Sequence, residues 1–257
     1  MRIRSNTVLI TGGTSGIGLE FASQLIKLGN NVLITGRDST RLATVKRQLP
    51  GIHTFQSDVS DPAAIVELYD NVTKQFPEMN VLINNAGIMR KINLHKMNSN
   101  LEDITSEVAV NLNGPIQMVV QFLDHLKKRE NAAIVNISSG LAFVPFPISP
   151  IYGATKAGIH SFTQSLRIQL KQTSVKVFEV APPLTNTPLN EKFKTNISEG
   201  SMMDVKKLVS EAIRGLEKDR QEILPGASNV LKMMSRFAPG IILNQLSKPV
   251  DTMLSES

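Results

Sequence analysis

Thr7-Val8-Leu9-Ile10-Thr11-Gly12-Gly13-Thr14-Ser15-Gly16-Ile17-Gly18 opens the chain's first structural unit, and the architecture follows from how it is punctuated. The apolar run Val8–Ile10 ends in a glycine-rich turn, after which residues Gly16–Leu28 have helical spacing and stop at Gly29. Glycine is therefore placed where a strand turns into a helix. A side chain at Gly12 would obstruct the tight turn, one at Gly16 would block close approach of a pyrophosphate, and one at Gly18 would push the helix off the sheet. The helix N-terminus offers free N–H groups and partial positive charge to phosphates. Thr14, Ser15 and Ile17 share this loop and join Gly12, Gly16 and Gly18 as candidate nucleotide contacts.

Working outward, the first 180 residues repeat the same alternation. Strands are predicted at Thr7–Thr11, Asn31–Thr35, Ile52–Gln56, Val81–Asn84, Ala132–Ser138 and Val175–Val180, with a seventh at Glu222–Leu224. Near-continuous apolar runs such as Val32-Leu33-Ile34 suit strands covered on both faces. Between them, Asp61-Pro62 opens a helix running to about Phe76, and longer helical regions span Leu101–Arg129, with a bend near Gly114-Pro115, and Ile151–Lys171. Right-handed strand–helix–strand crossovers make the doubly wound solution natural: an α/β, Rossmann-type parallel sheet of about seven strands with helices on both faces. No linker or repeat separates two halves, so residues 1–257 are expected to form one domain.

Composition narrows the function. The 257 residues are 41% hydrophobic and 19% charged, with 16 Gly and 13 Pro spread along the chain, which excludes collagen-like, disordered and coiled-coil classes. Without cysteine there is no disulfide, thiolate zinc site, iron–sulfur cluster or cysteine nucleophile. The four histidines, at 53, 95, 125 and 160, lack metal-ligand spacing, and no catalytic metal is expected. The net charge of 28 − 22 = +6 suits a small anion better than nucleic acid, because aromatics are only 5% and Trp is absent. The run Val8–Ile10 is too short for a signal-peptide core and no stretch reaches the roughly 18 apolar residues of a membrane span, so a cytoplasmic location is expected.

Two further groups carry chemistry. Tyr152 and Lys156 are four apart at the start of a predicted helix and so share one face. A phenol, with a pKa of about 10, exchanges protons poorly near neutrality, and an adjacent ammonium would stabilise its phenolate and make it a usable acid or base. Ser139 follows the strand ending at Ser138, and Asn84-Asn85-Ala86-Gly87 ends strand 4, so both groups lie at the carboxyl edge of the sheet, where ligands bind. At the end of strand 2, where an acidic residue would bind a ribose 2′-hydroxyl, the chain has Gly36 and Arg37. A guanidinium there favours a 2′-phosphate, hence NADP(H) over NAD(H), with Asp38 close enough to compete.

The glycine spacing resembles T-G-x-x-x-G-x-G, and with Asn-Asn-Ala-Gly, Ser139 and Tyr-x-x-x-Lys in this order the chain resembles the single-domain short-chain dehydrogenase/reductases over roughly residues 5–225. The whole-chain pattern also resembles their DltE-type subgroup. The resemblance implies an NAD(P)-dependent oxidoreductase moving a hydride between nicotinamide C4 and a carbonyl or secondary alcohol. Tyr152 would be its general acid/base, and Lys156 would bind the nicotinamide ribose and tune Tyr152. Ser139, rather than the neighbouring Ser138 at the strand end, would hold the carbonyl oxygen, and Asn111 would support a water-linked proton relay. Asp58, beside Val59, would meet the adenine amino group, and Asn85, Ala86 and Gly87 would lie beside the adenine ribose. Thr187, five residues past Pro182, fits the family's pyrophosphate- or carboxamide-binding threonine. Pro182-Pro183 departs from the usual Pro-Gly; a proline at 183 removes an N–H and fixes φ near the nicotinamide. The family also implies a homodimer or homotetramer formed through the two long helical regions.

The remaining sequence concerns the substrate. Residues 183–203 are expected to form a lid, and residues 229–250 a helical extension of two helices interrupted at Pro239-Gly240, packed on the body, on a sister subunit or against a membrane surface. The apolar stretch Leu141–Ile148, with Leu184, Leu189, Phe193, Met202 and Met203, suggests a mainly apolar pocket or, equally, core. The alternative to an enzyme is a non-enzymatic NADP(H)-binding regulator on the same fold.

Overall fold

In the computed structural model, which describes residues 1–96, 100–196 and 202–255, seven strands form one parallel sheet in the order β3-β2-β1-β4-β5-β6-β7. They are β1 (Thr7–Ile10), β2 (Asn31–Gly36), β3 (His53–Gln56), β4 (Val81–Asn84), β5 (Ala133–Ile137), β6 (Lys176–Val180) and β7 (Glu222–Ile223). The reversal of strand order falls between β1 and β4. Each lies within a residue or so of its predicted bounds.

The helices are α1 (Gly16–Lys27), α2 (Ser39–Gln48), α3 (Pro62–Gln75), α4 (Leu101–Val108), α5 (Gly114–Lys127), α6 (Pro150–Gln169), α7 (Val205–Glu217), α8 (Ser228–Phe237) and α9 (Pro239–Ser255). Their starts follow from local chemistry. Asp61 accepts from the Ala63 amide at 2.9 Å ahead of Pro62, the first residue of α3. Asp38 likewise caps α2 by accepting from the amides of Thr40 and Arg41. The bend expected near Gly114-Pro115 is a π-helical turn, Ala109–Asn113, between α4 and α5.

Strand alternation splits the core into two layers. Val8, Ile10, Val32 and Ile34 pack with Phe21, Ala22 and Leu25 of α1 and Leu208, Val209 and Ala212 of α7. Leu9, Leu33, Leu82 and Ile134 face the other way, onto Ile65 and Leu68 of α3, Met118 and Phe122 of α5 and Leu166 of α6. The period of two along buried strands thus sorts side chains between helical layers.

Beyond β6 the backbone runs as an excursion that includes a 3₁₀ segment, Pro188–Asn196, and is tied back by a bridge between Thr185 and Met203. Part of the expected lid, residues 197–201, lies outside the described residues. The C-terminal extension is two helices broken at Pro239, as expected, with Ile242 buried and Phe237 and Ile241 on the outside. No helix among the described residues is long and apolar enough to cross a membrane.

Candidate active site

A cleft of about 1030 Å³ opens along the carboxyl edge of the sheet. Its wall includes Gly12, Thr14, Ser15, Gly16, Ile17, Arg37, Asp58, Val59, Asn85, Ala86, Gly87, Ser139, Tyr152, Lys156, Pro182 and Thr187. Two of the predicted residues, Gly18 and Asn111, stand behind that wall.

The glycine loop is built by close approach. Gly12 has φ +67° and its missing Cβ would lie 2.8 Å from Ala86 Cα; Gly16 has φ +54° and packs under Thr187. A Cβ at Gly18 would meet the Asn85 amide at 2.4 Å and the Gly12 carbonyl at 2.5 Å, so this glycine lets α1 start close against the residues that follow β4 and β1. Asn85 donates to the carbonyls of Thr11 and Gly12 at 2.9 and 3.1 Å, which uses its side chain to brace the loop. Ser15 precedes α1 without a side-chain cap, and no acidic residue occupies the first turn. These N–H groups and the cradle around Gly12 fit a dinucleotide's pyrophosphate.

At the far end of the nucleotide cleft, Arg37 lies 3.7 Å from Asp58 and is largely exposed. Asp58 also accepts from the Ser60 amide and hydroxyl. Asp38, the possible competitor for a ribose hydroxyl, has one carboxylate oxygen on the α2 amides and the other 3.5 Å from Arg41. Arg41, absent from the sequence reading, also lines the cleft. Its signal was present: it sits one turn past Arg37, at the start of the helix after strand 2.

At the other end, Tyr152 and Lys156 lie on one face of α6, both buried. Tyr152 and Ser139 both line the cleft. Ser138 borders it too, but its hydroxyl is engaged by Glu179, to which it donates at 2.5 Å. Lys156 Nζ donates to the Ile137 carbonyl at 2.9 Å and lies 5.6 Å from the Tyr152 ring centroid. Here the electrostatics depart from the sequence expectation. Burial pushes the Tyr152 phenol up to about 12, the Ser139 hydrogen bond opposes this, and the Glu107 carboxylate adds to it. Burial likewise lowers Lys156 to about 8, with Glu179 pulling the other way. Desolvation of the phenolate outweighs the ammonium, whose proton is engaged by a backbone carbonyl.

Asn111 sits in the π turn, where one extra residue redirects the helix. Its Oδ1 accepts from the Ile88 amide at 2.9 Å, and its Nδ2 donates to the Ile88 carbonyl at 2.8 Å and to Thr155 Oγ1 at 3.3 Å. It thus ties the end of β4 to α6. Glu107, one turn earlier, is fully buried and accepts from the Arg90 amide at 2.9 Å; burial raises its carboxyl, partly offset by that hydrogen bond and the Arg90 charge.

The wall facing Tyr152 is apolar. Leu141, Phe146, Ile148, Leu184, Leu189 and Phe193 line it as expected. Phe143 instead packs against His160, Val144 is buried in the body and Met203 packs on the core, so the apolar stretches divide between pocket and interior. Leu231 of α8 and Gln245, Leu246 and Pro249 of α9 complete the wall. Nothing in the local sequence marked these four.

A glycine loop under a helix N-terminus at the strand-order reversal, with Ser, Tyr and Lys at one end of the cleft, defines a class of dinucleotide enzyme. The family model described as short chain dehydrogenase matches residues 6–198, and the chain belongs to that family. Within it, the chain is 45% identical to the uncharacterized oxidoreductase DltE of Bacillus subtilis (strain 168) over 87% of its own length and 89% of that protein's, which groups it with the DltE-type oxidoreductases. It is 35% identical to the NADP-dependent 3-hydroxy acid dehydrogenase YdfG of Salmonella typhi, over 69% of this chain and 71% of that one. A short chain dehydrogenase from Burkholderia cenocepacia J2315, solved with NADP, shares the fold with a TM-score of 0.83 at 22% identity, covering 97% of this chain and all of that one. Another from Burkholderia phymatum, solved with NAD, gives 0.82 at 21% identity, covering 95% and 96%.

Proposed function

We propose that this oxidoreductase uses NADP(H) in preference to NAD(H) and interconverts an apolar carbonyl compound and its secondary alcohol. The observation that carries the reading is the meeting of Tyr152, Ser139 and buried Lys156 at the apolar end of the nucleotide cleft. When bound, the nicotinamide supplies or accepts the hydride at its C4. The protein's own residues do the rest. Ser139 holds the carbonyl oxygen, and Tyr152 gives it a proton during reduction or removes one from the alcohol during oxidation. Lys156 holds the nicotinamide ribose. Gly12, Gly16, the α1 amides, Thr187 and Pro182 cradle the pyrophosphate and nicotinamide; Asp58, Val59 and Ala86–Gly87 enclose the adenosine. Asn111 positions the Ile88 backbone at the reaction end.

The NADP(H) preference draws support from Arg37 and Arg41 at the end of β2, together with an Asp38 carboxylate already engaged in capping. The apolar substrate class draws support from Leu141, Phe146, Leu189, Phe193 and Leu246 on the opposite wall. Exposed Val120 on α5 and Ile168 on α6 support assembly into a homodimer or homotetramer through those helices. A cofactor-linked absorbance screen over ketones, aldehydes, sugars and secondary alcohols, with both nucleotides, tests the proposal. Turnover of apolar carbonyls with NADPH is expected. Nucleotide binding without turnover anywhere in the panel would instead favour a regulator, and turnover restricted to small charged carbonyls would defeat the apolar pocket.

A further inference from the structure

Behind the cleft, β5, β6 and α6 share a second polar cluster. Glu179 on β6 is 1% exposed, a rare place for a carboxylate without strong partners. Its Oε1 accepts from Ser138 Oγ at 2.5 Å, and its Oε2 lies 2.8 Å from His160 Nδ1. His160 Nε2 lies 3.0 Å from Gln164 Nε2, a nitrogen that can only donate. His160 thus bridges the two, with Nδ1 on the Glu179 carboxylate and Nε2 on the Gln164 side-chain amide.

These contacts close a ring. Lys156 donates to the Ile137 carbonyl; the next residue, Ser138, donates to Glu179; Glu179 accepts from His160; and His160 lies one turn from Lys156 on α6. Ser139, which lines the cleft with Tyr152, is the residue immediately after the ring. Other charged groups surround it. Glu222 on β7 pairs with Lys232 on α8, and the Lys232 ammonium lies 5.4 Å from the Phe143 ring, whose edge meets His160 at 5.0 Å. His160, Glu179 and Glu222 offer oxygen and nitrogen atoms within 4.8 Å of one another, but the Lys232 ammonium already neutralises Glu222, so the cluster is an ion-pair lattice. On the cleft side Lys156 faces the Tyr152 ring, and the Glu107 carboxylate of α4 acts on Tyr152.

We propose that Glu179, held by Ser138 and His160, is a positioning residue for the active site: the ring fixes residues 137–139 against α6 and sets a buried carboxylate under the face of α6 that carries Lys156 and His160. The inference rests on Lys156 acting as the site's cation, as read above. Burial alone draws the proton off Lys156, and Glu179 is the charge that opposes it.

The test follows the Lys156 Nζ resonance of ¹⁵N-lysine-labelled full-length protein across pH, assigned with Lys156→Arg. In Glu179→Gln the midpoint is expected to fall by about one pH unit, a tenfold weaker hold on the proton. An unmoved midpoint in a folded Glu179→Gln protein overturns the proposal. Should that variant not fold, ¹³C-glutamate labelling of the wild type decides: the Glu179 carboxyl resonance is expected to inflect at the Lys156 midpoint, and a resonance blind to that titration overturns the proposal equally. Neither measurement involves turnover, so a failed carbonyl screen and a failed titration are distinguishable.

Discussion

The two halves of the cleft are built in opposite ways. The nucleotide half comes almost entirely from one contiguous stretch, β1 through α2, with the ends of β3 and β4 laid against it. Its shape depends on backbone: two positive-φ glycines, an uncapped helix start, and the Asn85 amide closing the loop. The substrate half is an assembly of side chains from segments up to a hundred residues apart, Leu141 and Phe146 after β5, Leu189 and Phe193 in the 3₁₀ excursion, Leu231 and Leu246 in the last two helices. Backbone constraints tolerate little substitution, because a Cβ has nowhere to go. A wall of side chains can be re-lined one residue at a time without disturbing the frame.

Where the halves meet, Tyr152→Phe should have the largest effect. Turnover is expected to fall by about 10²–10⁴-fold while nucleotide affinity is kept, as a proton-transfer role requires. Unchanged turnover in the cofactor-linked assay would break the assignment. Next comes the backbone half. Gly18→Ala sets a Cβ against the Asn85 amide and the Gly12 carbonyl, so a loss of about 1–3 kcal/mol in urea unfolding is expected, with weakened nucleotide binding. A variant as stable as wild type would remove the contrast between the halves.

Arg37→Asp is expected to shift the NADP-to-NAD affinity ratio by about tenfold toward NAD, read by titration of each nucleotide. A constant ratio would leave Arg37 a solvated surface charge. In the substrate half, Leu246→Asp should raise KM for an apolar carbonyl by several-fold, about 1 kcal/mol and so a part of one leucine's transfer energy, because Leu246 is half-buried; nucleotide affinity should be untouched. Equal losses on both would mean that α9 supports the whole cleft and not one wall.

A further effect, on the stability of the whole fold, is pH dependence. Lys156 loses its proton near 8 in the folded protein and near 10.5 in the unfolded chain, so between those values the unfolded chain binds more protons and stability rises with pH. Tyr152 acts in the opposite sense above 10, where the unfolded phenol ionises first and stability falls toward 12. Lys156→Met should remove the rise, checked by urea unfolding at pH 8 and near pH 10; a persisting rise would place its origin elsewhere.

Legibility followed the same division. The strands, the glycine loop and the carboxyl-edge placement of Ser139, Tyr152 and Lys156 were readable because each depends on spacing within a few residues. Arg41 was within reach of the same reasoning. Glu179 and His160 were not: a lone acid in an apolar strand and a lone histidine on a helix carry no signal until β6 lies under α6. The atoms that Gly18 leaves room for, in Asn85 and in its own loop, could not be named from the sequence, because only the pairing of β1 with β4 brings them together.

The order of elements, the parallel sheet and the line of residues along its carboxyl edge were determined by the chain's local pattern, since hydrophobic period, glycine conformation and helix caps act over one or two turns. The protonation balance of Tyr152 and Lys156, the division of apolar residues between pocket and core, and the part played by the C-terminal helices were decided only in the tertiary structure. Burial and the field of distant charges depend on which surfaces meet, and that is a property of packing.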